Sequence, residues 1–122
     1  MARPSIDIER AYDSPAKSTS LRFLVDRLWP RGVKNEALHL DGWLKDVAPS
    51  TQLRQWFGHD PERWTVFRKR YQAELDAKPE TWQPILDAAK KKPVTLVFGA
   101  RDREHNHALV LCAYLRRRLP RR

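Results

Sequence analysis

The sequence predicts a small α/β layer: a mostly parallel sheet with helices packed on it and a helical insertion between its second and third strands. Two strand-like apolar runs precede any long helical pattern, and a third, short and β-branched, lies near the C-terminal end. Between the second and third runs, a region of about 65 residues repeats its apolar positions at helical spacing. With 122 residues, one domain spanning 1–122 has enough chain for a single core without disulfides.

The first predicted strand is Ile6 to Tyr12 and the second is Leu21 to Leu28, built on Leu-Arg-Phe-Leu-Val. Asp13 to Ser20 between them has turn composition. In the insertion, Leu40, Trp43, Leu44 and Val47 recur at helical spacing behind Asp41. Ser50 is placed to cap a short helix carrying Leu53, Trp56 and Phe57, with Gly58 as its stop. Asp60-Pro61 supplies a cap followed by proline at the first helical position, ahead of the stripe Trp64, Phe67, Tyr71 and Leu75. Thr81 opens another helix with Trp82, Ile85, Leu86 and Ala89 inward. Val94 to Phe98, bounded by Pro93 and Gly99, reads as a strand buried on both faces. Asp102 is the expected cap of the last helix, which puts Arg103, Glu104 and His105 in its first turn and carries Leu111, Cys112, Leu115 and Leu119 inward as far as Pro120.

Composition narrows the function classes. The single cysteine, Cys112, excludes a disulfide framework and suits a reducing compartment, and its place in the apolar run Ala108 to Ala113 makes it a core thiol rather than a nucleophile. No apolar segment follows Met1, and no stretch approaches the roughly 20 apolar residues of a membrane span, so a cytoplasmic protein without a membrane partner is expected. The net charge of +9, from 24 Lys and Arg against 15 Asp and Glu, attracts anions. Much of that excess is local, in Lys90 to Lys92 and in the basic C-terminal end 116–122 with Arg116, Arg117, Arg118, Arg121 and Arg122, where a solvated helix end and a nucleic-acid contact are both compatible with the sequence.

The densest chemistry is Asp26-Arg27-Leu28-Trp29-Pro30-Arg31-Gly32, at the exit of the second strand. Parallel strands bring their carboxyl ends to one edge, where ligands of such sheets bind. That edge then gathers Tyr12 and Asp13, then Asp26, Arg27 and Arg31, then Arg101, Asp102 and His105. Guanidiniums offer paired donors that stay charged, so Arg27, Arg31 and Arg101 suit a phosphate, a carboxylate or a nucleotide, beside the backbone N–H groups of the last helix. Asp26, Asp102 and His105 are the candidate catalytic residues, His105 as proton shuttle and an aspartate as its orienter or as a base. An internal web of ion pairs, Asp26 with Arg101 and Asp102 as a cap, uses the same residues without any ligand. His59, at the tip of the turn from Gly58 to Pro61, is placed either as an uninvolved polar residue or as part of a lid. No metal and no cofactor are expected, because His105 and His107 diverge by about 200° on a regular helix.

Three blocks carry a family resemblance: Leu24 to Gly32; Trp43 to Ser50 with Leu53-Arg54 and Trp56-Phe57; and Glu104-His105-Asn106-His107-Ala108. Over about Ile6 to Leu115 the chain resembles the YeaO-like branch of domain-of-unknown-function family 488. It departs from the family pattern at Thr19-Ser20, where an Asp-Gly turn is usual, and at Phe98 and Arg101, where tyrosine and lysine are usual. The resemblance implies a small bacterial α/β protein with no settled activity. With Asn106 added to Arg27, Arg31 and Arg101 as ligand contacts, the first functional expectation is a binder of a small anionic ligand, with or without turnover. The second is a non-enzymatic nucleic-acid- or protein-binding module that uses the basic surface, although its aromatic residues fall on buried-looking stripes.

Overall fold

A computed structural model describes residues 5–13 and 20–119, the side chain of Asn35 excepted. Four parallel strands form one sheet in the order β1-β4-β2-β3: β1 is Ile6–Arg10, β2 Leu21–Leu24, β3 Gly42–Trp43 and β4 Val94–Phe98. The helices are α1 (Asn35–Leu38), α2 (Thr51–Phe57), α3 (Trp64–Ala77), α4 (Gln83–Ala89) and α5 (His107–Arg116). The predicted parallel sheet with a helical insertion is therefore present, and β4, late in the chain, is its centre. Ile6 and Leu21 both stand opposite Val94, so the strand starts are level and the exits are level too.

Alternation along the strands divides the core. Ile6, Val25, Val94, Leu96 and Phe98 point to one face, where Phe67, Tyr71 and Leu75 of α3, Ile85 and Leu86 of α4, and Leu111 and Leu115 of α5 cover them. On the other face Ala11, Leu24 and Val97 form a smaller cluster with Leu38, flanked by Trp29, Val33, Leu40 and Trp43. That face also buries Arg22, whose guanidinium bonds Glu9 at 2.7 Å and the carbonyl of Leu38 at 2.9 Å. Cys112 is a buried free thiol whose pKa burial raises, the expected core thiol.

Several local expectations are met. Ser50 caps α2 by accepting from Leu53 N, and Gly58 ends it in the left-handed region at φ 52°. Asp60 accepts from Glu62 N and opens a 3-10 turn over Pro61–Arg63 that runs into α3.

Other expectations are corrected. The strands are shorter than predicted. Beyond β1 and β2 only Ala11 N and Val25 N continue the ladder, bonding the carbonyls of Phe98 and Val97. The helical spacing of Leu40, Trp43, Leu44 and Val47 belongs to no helix. Gly42–Trp43 pairs with Phe23 and Leu24 as an edge strand, and Lys45–Val47 is a 3-10 turn. Gly42 permits this pairing, since a Cβ there would lie 3.1 Å from the Phe23 ring. Thr81 ends a 3-10 turn, Pro79–Thr81, and donates its hydroxyl to Lys78 O, so α4 begins only at Gln83. The last helix starts at His107, capped by Asn106 rather than by Asp102. The linker 14–19, the stop at Pro120, and Arg121 and Arg122 lie outside the described residues.

Candidate functional site

The level strand exits become neighbours. The Tyr12 hydroxyl donates to Arg31 O at 2.8 Å, Arg103 makes a two-bond pair with Asp13, and Asp26 Oδ2 accepts from Gly99 N at 2.8 Å. Gly99 is required for that last contact, because a Cβ there would approach Asp26 Oδ2 to 3.0 Å. Asp26 and the turn after β4 are thus locked together across two adjacent strands.

Behind this junction lies a crevice of about 370 Å³ between the sheet edge, α2, α3 and the start of α5. Ala48, Pro49, Phe57 and Phe67 give it apolar walls, and its polar lining includes Asp26, Arg27, Arg54, His59, His105 and His107. Three atoms of that lining are buried without a hydrogen-bond partner: Asp26 Oδ1, Arg27 Nε and Arg54 Nε. Leaving such a group unmatched costs about 1–3 kcal/mol each.

The histidines are oriented. His107 Nε2 lies 3.0 Å from Val25 O and 3.1 Å from Asp26 Oδ1. A carbonyl can only accept, so Nε2 carries a proton aimed at Val25 O, while Asp26 Oδ1 faces the same nitrogen without a hydrogen bond. His105 is held by Asp102, whose Oδ2 is 3.0 Å from its Nδ1 and whose Oδ1 accepts from the backbone N–H of Glu104 and of His105. Those bonds, the Glu104 N–H first, hold the Asp102 carboxyl below its usual range. The anionic Asp102 therefore accepts from Nδ1 and leaves His105 Nε2 as its free nitrogen, with the ring edge-on to Trp64 at 5.3 Å. Beneath the crevice Tyr71 donates its hydroxyl to Val47 O at 2.6 Å, and burial keeps the phenol neutral by raising its pKa well above the ordinary value.

The anticipated residues are therefore distributed unevenly. Asp26, Arg27, His105 and Asn106 line the crevice. Asp102 stands behind His105, while Arg31 and Arg101 are exposed and outside the lining. Asn106 is 2 % exposed and already engaged, its Oδ1 capping Leu109 N and its Nδ2 donating to Asp102 O. His59 does line the crevice, in the left-handed region at φ 57°. Two residues escaped the sequence reading: Arg54, on a helix read as core-facing, and His107, considered only as a metal ligand. Among the described residues no group of three or more His, Cys, Asp or Glu is arranged to hold a metal ion.

Comparison with known proteins bears on this site. A profile of the family described as the inactive DUF488-N3 subclade matches residues 5–122. The chain belongs to the DUF488 family, in its YeaO-like branch. It is 44% identical over 112 residues to the uncharacterized protein YeaO of Escherichia coli K12, covering 92% of this chain and 97% of that one. It is also 36% identical over 110 residues to the uncharacterized protein Rv3073c of Mycobacterium tuberculosis H37Rv, covering 90% and 92% of the two chains. No solved structure matches the chain. In this DUF488 chain the blocks Leu24 to Gly32 and Glu104 to Ala108 are the two strands of sequence that meet at Asp26 and His107.

Proposed function

We propose that this DUF488 protein binds a small anionic ligand in the crevice and holds it without turnover. The observation that carries this reading is the concentration of unpaired buried atoms: two guanidinium Nε groups and one carboxylate oxygen belong to residues that line one cavity. A phosphate or carboxylate bridging Arg27 and Arg54 would satisfy both donors, and a protonated oxygen or an N–H on the same ligand would satisfy Asp26 Oδ1. Arg31 and Arg101, exposed on the same sheet edge, add to the positive field that draws the anion in.

The preference for binding over catalysis rests on the lining. No Ser, Thr, Cys, Lys or Tyr side chain belongs to it among the described residues. The one carboxylate of the lining, Asp26, has one oxygen tied to Gly99 N and the other against the His107 ring, and His105 is held by Asp102. The family's description as an inactive subclade agrees with that chemistry. Asp102 and His105 then orient a hydrogen bond to the ligand, with His105 Nε2 donating when the ring is protonated.

Among the described residues of the basic C-terminal end, two arginines are already engaged within the chain, which favours the crevice over a nucleic-acid contact. Arg116 bonds Asp7 and the Ile6 carbonyl, and Arg118 bonds the Tyr114 carbonyl and lies over its ring.

Calorimetric titration with inorganic phosphate tests the proposal. Saturable binding is expected, weakened about tenfold or more by Arg27→Ala and by Arg54→Ala, since each removes a hydrogen bond to a charged group. Unchanged phosphate affinity in both variants, or none in the parent, overturns it.

A further inference from the structure

Arg27 belongs to two cavities. Besides lining the crevice, it lines an open groove of about 640 Å³ around Trp43, whose other charged residues are Lys45, Lys78, Asp46 and Glu80. The groove differs in character from the crevice. Its one large aromatic, Trp43, is fixed in place: the indole N–H donates to Asp26 O at 2.7 Å, and Trp29 packs edge-on at 5.4 Å. The ammonium of Lys45 lies 4.2 Å from the centre of the Trp43 ring, on an exposed side chain that makes no ion pair among the described residues. A lysine over an indole is held by about 0.5–1 kcal/mol at an exposed site, so a flat ring can replace it. Lys78 is anchored by the carbonyls of Asp46 and Ala48, leaving its charge on the groove wall.

Resting on the anion-binding reading, we infer that the ligand is a nucleotide, with its phosphate at Arg27 and Arg54 and its base in the groove on Trp43. Both ends of such a molecule meet at Arg27. The unpaired Arg27 Nε takes the phosphate at the boundary, Arg54 completes the seat on the crevice side, and the base displaces the Lys45 ammonium from the indole face. A bare phosphate would leave the groove unused, and a nucleoside would leave the guanidinium atoms unmatched. The same chemistry occurs in a free nucleotide and in the end of a single-stranded nucleic acid. The groove has one arginine and one aromatic ring, with Lys45 and Lys78 offsetting Asp46 and Glu80, which fits one nucleotide.

Calorimetry on the intact chain with four probes tests this: inorganic phosphate, adenosine, adenosine 5′-monophosphate and a single-stranded tetranucleotide. The monophosphate should bind about tenfold or more tighter than phosphate, the gain expected of one stacked base, and at least as tightly as the tetranucleotide. Adenosine should bind weakest. Trp43→Leu should erase the gain while leaving phosphate binding in place, and Trp43→Phe should restore most of it; retained phosphate affinity shows that each variant is folded. Equal affinity for phosphate and the monophosphate in the parent overturns the inference while leaving the anion site standing. So does a tetranucleotide that binds while the monophosphate does not. Loss of phosphate binding in the parent refutes the underlying anion site instead.

Discussion

The helix-covered face of the sheet and its carboxyl edge are made by the same strands, yet they treat polar atoms in opposite ways. On the covered face the few polar groups are matched: Tyr71 donates to Val47 O, the Trp82 indole to Leu75 O, and Tyr114 to Asp76. At the edge, Asp26 Oδ1 and Arg27 Nε just past β2, and Arg54 Nε on α2 beside them, are buried without a hydrogen bond. The covered face is finished by the chain itself. The edge is not finished by the chain in this way, and on the proposed function a bound anion completes it.

The contrast can be broken most severely on the covered face. Leu111→Ala empties a fully buried position beneath α5 without harming helix propensity, and a loss of about 2–5 kcal/mol in denaturant unfolding is expected. Asp26→Ala is next. It leaves Gly99 N without its acceptor and His107 without its carboxylate, and should lower stability by about 1–3 kcal/mol. Arg54→Met sharpens the comparison from the other side. Removing an unmatched buried donor in favour of an apolar chain of similar length should leave unfolding stability within about 1 kcal/mol of the parent while weakening phosphate binding about tenfold or more. A large loss of stability there would mark Arg54 as structural. The smallest effect is expected at the exposed Asp13–Arg103 pair. The bond from Arg103 lowers the Asp13 pKa in the folded chain, so its contribution is present above the ordinary carboxylate range and fades as the pH falls through the depressed folded value. Asp13→Asn should flatten the acid limb of a stability-versus-pH profile slightly, and salt should do the same in the parent.

Much of this architecture was legible in the sequence. Val94 to Phe98 matches β4 residue for residue, because a short β-branched run between proline and glycine has few alternatives. Parallel pairing then placed Asp26, Arg27 and His105 together. What stayed hidden has local causes. Asp102 and Asn106 are both good caps, and choosing the first put His107 on the wrong part of a helix. With Asn106 as the cap, His107 becomes the first helical residue and reaches back to Val25 and Asp26. Arg54 sits among Leu53, Trp56 and Phe57, where an arginine reads as the solvated side of a core helix. The two-residue strand at Gly42–Trp43 is too short to show alternation, and its helical spacing was accidental.

The position of β4 has a consequence for how the chain can assemble. Among the described residues, β1 has no sheet partner other than β4, and β2 has β4 and the two-residue β3. Until residues 94–98 are available, as during synthesis from the N-terminus, the first two strands have almost nothing to pair with, and contacts spanning most of the chain must close late and together. The same event brings Gly99 to Asp26 and so builds the crevice. Folding and site formation are one step, and a chain arrested before β4 would have neither.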